Sequence, residues 1–281
     1  MDRNSNRNDR AAELHAQLER EFADLVTGDR WAEMLRTAAR FHSYSAGNVM
    51  LILAQCPTAS RVAGYRVWQA MGRQVRKGEK GIAILAPVTF RRRTTDDDGE
   101  ETDVLGVRGF RPVFVFDIAQ TTGEPIADIR PELLAGEAPA GLWNALVAQV
   151  DAAGFTVERG HCGGANGRTE YTSRTVTVRA DVDEAQACKT LAHELGHVLL
   201  HEQELAAGCR GRLEVEAESI AYVVAQACGL STSEYSLPYV AQWANGDLKL
   251  VKATAERVIR TAHQILCAID GAENNVLGEA A

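Results

Sequence analysis

Residues 190–201 read Thr190-Leu-Ala-His-Glu-Leu-Gly-His-Val-Leu-Leu-His201, a helix-forming apolar frame that contains His-Glu-x-x-His. Positions i and i+4 of a helix lie one turn apart on the same face, so the imidazoles of His193 and His197 can converge on one ion. Glu194 lies between them, where a carboxylate can reach a water beside that ion without ligating it. Donor types and spacing are those of a zinc site, with Zn2+ as the expected cofactor and Glu194 as the expected general base.

The third ligand is sought downstream, in Arg212-Leu-Glu-Val-Glu-Ala-Glu-Ser-Ile-Ala-Tyr-Val-Val-Ala-Gln-Ala-Cys228, which carries three acids at spacing two and is closed by Gly229. At about 100° per residue, Leu213, Ile220, Val223 and Ala227 fall within about 60° of Glu216, whereas Glu214 and Glu218 fall on the far side. A carboxylate inside an apolar stripe is costly unless a cation or hydrogen bonds compensate it. Glu216 is therefore the expected ligand, and two histidines plus one glutamate would leave an open fourth position, as in a catalytic zinc. The bland alternative is a buried Glu216 satisfied by a neighbouring Arg or backbone amide. His201, one turn past His197, could approach the site or simply cap the last turn. A layout with a third His after a Gly fails, because Leu200 and Gln203 stand at those places.

The chain has 281 residues, 24% charged and 46% apolar, values that suggest two modest soluble domains. No apolar run is long enough for a membrane helix, and the polar N-terminus carries no secretion-type core, so a cytoplasmic protein without membrane association is expected. The six cysteines form no C-x-x-C pair and read as reduced thiols. The net charge of -8 is uneven: residues 61–93 hold nine basic residues and one acid. A cationic patch on an acidic chain points to a polyanion partner for one domain only.

Hydrophobic spacing predicts helices over residues 11–26, 30–41, 46–55 and, briefly, 64–71, after a disordered start at residues 1–9. Residues 82–93 and 104–116 then read as strands flanking the acidic stretch Thr94-Thr-Asp-Asp-Asp-Gly-Glu-Glu101. Gly, Pro and acids without periodicity place a linker at 121–140, between domains at 1–120 and 141–281. The second domain reads as a helix over 143–152, strands over 155–158, 169–172 and 175–179, the His-bearing helix from about 183, the acid-bearing helix, and helices over 236–245 and 247–269. The fold class is α+β: a helical and antiparallel-sheet N-terminal domain, then a minimal zincin.

The chain resembles the ArdC-type antirestriction proteins of plasmids and related mobile elements. One block of the likeness is Tyr44-Ser-Ala-Gly-Asn48 with Arg61-Val-Ala-Gly-Tyr-Arg-Val-Trp-Gln-Ala-Met-Gly-Arg-Gln-Val-Arg-Lys-Gly-Glu-Lys-Gly-Ile82, then Leu85-Ala-Pro-Val88 and Val115-Phe-Asp-Ile-Ala-Gln-Thr121. The other is the His193–His197 motif with Glu214-Val-Glu-Ala-Glu-Ser-Ile-Ala221. The resemblance implies an N-terminal domain that binds single-stranded DNA and a C-terminal zincin similar to the ImmA/IrrE and SprT-like metallopeptidases. It carries the zinc ligands to His193, His197 and Glu216, and the base to Glu194. Gly47 and Asn48 stand where the family more often has paired asparagines.

Single-strand binding needs cations for phosphates and aromatic faces for bases. The expected contacts are Arg61, Tyr65, Arg66, Trp68, Arg73, Arg76, Lys77 and Lys80, with core packing as the alternative for the Tyr65 and Trp68 pair. Tyr235 and Tyr239 are candidate oxyanion helpers. Three functions follow: an antirestriction protein that coats single-stranded DNA, a DNA-associated protease with a protein substrate, and a DNA-binding module with a structural metal.

Overall fold

The structure, a computed structural model, describes residues 3–25, 28–95, 101–125, 136–202, 210–232 and 247–279. The helix expected at 236–245, Tyr235, Tyr239 and the acidic tip at 96–100 lie outside the described residues. Helices and largely antiparallel sheets are segregated along the chain, an α+β architecture, and form two compact units. One unit comprises Met1–Glu21 and Gly47–Pro125; the other comprises Phe22–Ala46 and Ile126–Ala281.

In the first unit, helix α1 (Arg3–Asp24) starts well before the disorder expected at residues 1–9 ends, because no Gly or Pro interrupts it there. Helices α3 (Ala46–Gln55) and α4 (Tyr65–Ala70) accompany strands β1 (Val62–Gly64), β2 (Arg73–Val75), β3 (Ile82–Thr95), β4 (Glu101–Asp117) and β5 (Thr121–Gly123). Strands β3 and β4 pair antiparallel from Ile82 opposite Val115 to Thr95 opposite Glu101, with an irregularity between Pro87 and Thr89. Strand β1 joins the other side of β4, which leaves β3 as an edge.

Two amides of α3 close that edge. Asn48 donates to the Leu85 carbonyl and accepts from the Leu85 N–H, both at 2.9 Å. Gln55 does the same to Ala83, at 2.8 and 2.9 Å. Side chains thus satisfy backbone groups that a free edge would offer to another chain.

The second unit contains α2 (Gly28–Arg40), α5 (Leu142–Ala152), β6 (Thr156–Gly160), β7 (Gly167–Glu170), β8 (Thr175–Arg179), α6 (Glu184–Leu200), α7 (Arg210–Ala227) and α8 (Leu248–Glu279). Residues 22–46 pack here, not with the N-terminal domain to which a boundary at 120 would assign them. Trp31 gives the reason: it is wholly buried and donates from its indole N–H to Ser219 Oγ of α7 at 3.0 Å. The sheet is mixed, with β8 central, parallel to β6 and antiparallel to β7. Strand β7 is consequently an edge, and it lies against α6. Among the described residues no helix is long and apolar enough to cross a membrane, and Cys56, Cys162, Cys188, Cys228 and Cys267 are free thiols.

Candidate metal centre and nucleic-acid surface

Asp183 starts α6 by accepting the Gln186 N–H at 2.7 Å, and the helix then runs unbroken through the histidine motif. Gly196 lets α7 approach: a Cβ on it would sit 3.3 Å from the Ala217 Cα. The close crossing puts the polar side of α7 beside the histidines.

His193 Nε2 and His197 Nε2 are 3.1 Å apart. Glu214 brings Oε2 to 3.5 Å of the first and Oε1 to 3.7 Å of the second. One donor atom from each of the three lies within 4.8 Å of the others. Glu218 Oε2 stands 3.1 Å from His193 Nδ1, behind the ring. Burial opposes a charge on His193, but the hydrogen bonds to Glu214 and Glu218 and the charge of Glu194 outweigh it and carry the imidazole to about 10. The neighbouring imidazoles, His193 first and then His197, hold Glu214 far below the usual carboxylate range.

The structure places Glu216, the expected third ligand, apart from this cluster. Helix phase does put Glu216 on the buried side of α7, with no exposure, but there it meets His201 Nε2 at 3.0 Å and Arg257 Nε at 3.4 Å. Neither His193 nor His197 is fully enclosed, their side chains being 21% and 14% exposed. The carboxylate nearest both imidazoles is that of Glu214, on the polar face of α7. His201 makes a second link, its Nδ1 lying 2.8 Å from His197 Nδ1.

Glu194 is buried and accepts a hydrogen bond from the Thr169 hydroxyl of β7 at 2.7 Å. Tyr171 donates to the His197 carbonyl at 3.1 Å. Burial, then the charges of Glu194, Glu202 and Glu214, push its phenol up to about 12, so it remains a donor. Both side chains line a cavity of about 770 Å³ that also receives His193, His197, Glu214, Glu218, Arg168 and Lys189.

In the first unit the eight expected nucleic-acid contacts part company. Trp68 is wholly buried and donates to the Phe116 carbonyl at 2.8 Å, which removes it from any stacking surface. Arg73 is tied to β5, donating to Thr121 Oγ1 at 2.8 Å and to the Glu124 carbonyl. Arg76 pairs with Glu79 at 2.6 Å. Arg61, Arg66, Lys77 and Lys80 are exposed, as is Tyr65 at 43%. Tyr65, Arg76 and Lys77 border a hollow of about 670 Å³ together with Gln74 and Phe116. Phe110 and Phe114, 52% and 53% exposed on β4, extend the aromatic surface. Phe114 stands over Ala83 and Gly81, residues too small to cover it.

Comparison with known proteins places both units. Residues 5–116 match the family model of the N-terminal domain of anti-restriction factor ArdC. Residues 151–239 match the IrrE N-terminal-like domain of a peptidase family. The chain joins an ArdC N-terminal domain to an IrrE-like domain. The chain is 26% identical to an uncharacterized Bacillus anthracis protein, pXO2-81, over 85% of its own length and 47% of that protein's. It thus spans about half the length of that curated relative. It is also similar to two crystal structures of the antirestriction protein ArdC from plasmid R388. The metal-free form shows 21% identity and a TM-score of 0.49 over 84% of this chain and 86% of that one. The Mn(II)-bound form shows 22% and 0.47 over 83% and 84%.

Sequence spacing picks out His193, Glu194 and His197 in the IrrE-like domain but misses Glu214, Glu218, Thr169 and Tyr171. Glu214 and Glu218 could have been found from their position on the polar face of α7, one turn apart. Thr169 and Tyr171 come from β7 and the turn after it, and no local pattern links them to α6. Phe110 and Phe114 alternate with Arg111 and Val113, the period-two pattern of a half-exposed strand.

Proposed function

We propose that this ArdC-type protein acts in antirestriction, holding single-stranded DNA on its N-terminal unit and carrying a zinc-dependent peptidase-type centre in its C-terminal unit. The observation that carries the reading is the convergence of His193 Nε2, His197 Nε2 and Glu214 beside the buried Glu194. Two imidazole nitrogens and one carboxylate oxygen are a donor set that suits zinc, and three protein donors leave room for a further ligand. His193, His197 and Glu214 would hold the ion. When bound, it would supply Lewis acidity that acidifies water and polarises a carbonyl.

The remaining chemistry falls to the chain. Glu194 takes a proton from the attacking water and returns it to the leaving amine, while the Thr169 hydroxyl fixes its carboxylate. Strand β7, an edge beside the cavity, offers backbone groups with which an extended peptide could pair as an added strand. That feature favours, as a second reading, a protease acting on DNA-associated proteins over a module with a structural metal.

On the N-terminal unit, Arg61, Arg66, Lys77 and Lys80 supply charge for phosphates, and Tyr65 with the exposed phenylalanines supplies stacking faces. The experiment is a titration with single-stranded and duplex DNA across salt concentrations, with elemental analysis of the wild type and of Glu214→Ala. Expected are about one zinc per chain, lost in the variant, and single-strand affinity that falls steeply with salt. Absent metal in the wild type, or no DNA binding at low salt, would refute the corresponding half.

A further inference from the structure

Behind the two imidazole nitrogens that face Glu214, α6 with its C-cap contributes two polar side chains, and α7 and α8 one each, to a chain of contacts with a buried middle. His197 Nδ1 lies 2.8 Å from His201 Nδ1, His201 Nε2 lies 3.0 Å from Glu216 Oε2, and Arg257 Nε lies 3.4 Å from Glu216 Oε1. Arg257 is itself anchored at 3.3 Å to the Leu200 carbonyl. His201 and Glu216 have no exposed surface. A fully buried carboxylate is expensive even beside a partly exposed arginine, and well-packed apolar residues of similar volume are often as stable or more so. Stability alone therefore gives a weak account of a charge in the apolar stripe of α7.

We propose that His201, Glu216 and Arg257 are positioning residues that fix the tautomer of His197; the proposal rests on His197 being a metal ligand. Hydrogen-bond logic runs in one direction. Beside Arg257, Glu216 is an acceptor only. The neutral His201 ring then carries its proton on Nε2 and presents the lone pair of Nδ1. His197 must answer with its own proton on Nδ1, and its Nε2 is left bare, facing His193 Nε2 and Glu214. Glu218 does the same for His193 in one step, accepting from Nδ1 at 3.1 Å. The two ligands thus receive matching tautomers from two carboxylates of one helix, one at the surface and the other, through His201, in the core. Outer partners of this kind orient ligand rings and raise their basicity.

The test measures zinc affinity by chelator competition, not turnover, in full-length wild type, Glu216→Gln, His201→Phe and Arg257→Lys. The thermal midpoint of each metal-free form and the visible spectrum of each cobalt-loaded form accompany it. Trp31→Phe is the control: it removes the bond to Ser219 on the same helix α7 and bears only on stability. Expected is a zinc Kd weakened about 10- to 100-fold in Glu216→Gln and His201→Phe, with a shifted cobalt spectrum, and an unchanged Kd in Trp31→Phe. Arg257→Lys keeps the charge and serves if a relay variant does not fold; its Kd should weaken in the same sense. Wild-type Kd and spectrum in every folded relay variant, whatever their thermal midpoints, would overturn the proposal while leaving the metal site standing. A wild type that binds no zinc would sink the metal reading first, and this proposal with it.

Discussion

Glu194 occupies the space that a side chain on Gly167 would need: a Cβ there would fall 2.6 Å from Glu194 Oε1 and 2.6 Å from Thr190 Cγ2. Strand β7 can lie this close to α6 because residue 167 has no side chain. Its backbone is not in the left-handed region, so the constraint is on space alone.

Gly167→Ala should therefore move the Glu194 carboxylate while leaving the ligand atoms of His193, His197 and Glu214 in place. Overpacking of this sort costs about 1–3 kcal/mol. Zinc content should stay at the wild-type level and the thermal midpoint should drop by several degrees. Hydrolysis of an unstructured protein such as casein should fall about 100-fold or more, as for loss of a positioned base. Glu194→Gln, which adds no bulk, should match the loss of turnover without the loss of stability. Unaltered hydrolysis in both variants would show that Glu194 does not handle the proton.

Three acids at spacing two on α7 have three separate fates, and substitution should tell them apart. Glu214→Ala removes a donor of the ion and should abolish zinc retention through dialysis. Glu218→Gln removes the partner of His193 Nδ1 and should weaken zinc about 10-fold without eliminating it. Elemental analysis of the two dialysed proteins gives the answer directly. Equal zinc in Glu214→Ala and wild type would reject Glu214 as a ligand.

Periodicity served the two units unevenly, and the reasons are local. The helix over Ala46–Gln55 was legible to the residue because its apolar run ends at Pro57. The β3 and β4 pair was legible from β-branched and aromatic content around an acidic turn. The three-residue strands β1, β2 and β5 were not, since three residues carry no period. The parallel pairing of β6 with β8 depends on a chain excursion that no pattern reveals. At the site, helix phase places Glu216 in the core, where it is, and leaves two readings of a buried acid, metal ligand or partner of a neighbouring Arg, that phase alone does not separate. The side of α7 that faces His193 and His197 is its wet side, and the buried acid is neutralised by Arg257, about forty residues further along the chain.

Proton linkage at His193 gives a pH prediction for the metal-free protein. Its folded value of about 10 lies above the ordinary 6.5, so the stability it contributes is complete below 6.5 and is lost as pH rises towards 10. Glu214 acts in the opposite sense: its contribution is present above the usual carboxylate value and disappears in acid. The thermal midpoint of the metal-free form should thus decline from near-neutral to alkaline pH. Zinc uptake at pH 7 must displace the His193 proton, and affinity should rise with pH. Calorimetry in buffers of different ionisation enthalpy should detect release of about one proton. Uptake without proton release would contradict a protonated His193.

On the N-terminal unit, Trp68 and Tyr65 are three residues apart and make opposite predictions. Trp68 is enclosed and bonded to β4, so Trp68→Ala should cost about 3–5 kcal/mol and unfold the unit before any effect on nucleic acid can be read. Tyr65 is exposed beside Phe116 and Lys77, so Tyr65→Ala should keep the fold and weaken single-strand binding by about 1–3 kcal/mol, the scale of one lost base stack. Phe114→Ala should do the same if β4 carries a second base. Arg66→Ala and Lys77→Ala each remove a phosphate partner without an aromatic face. They should weaken all sequences alike and make the slope of log affinity against log salt shallower by about one. Fluorescence anisotropy with a labelled single strand at several salt concentrations separates these effects. If Tyr65→Ala and Phe114→Ala bind as the wild type does while the basic variants weaken, the surface tracks the backbone by charge alone and the aromatic faces serve another purpose.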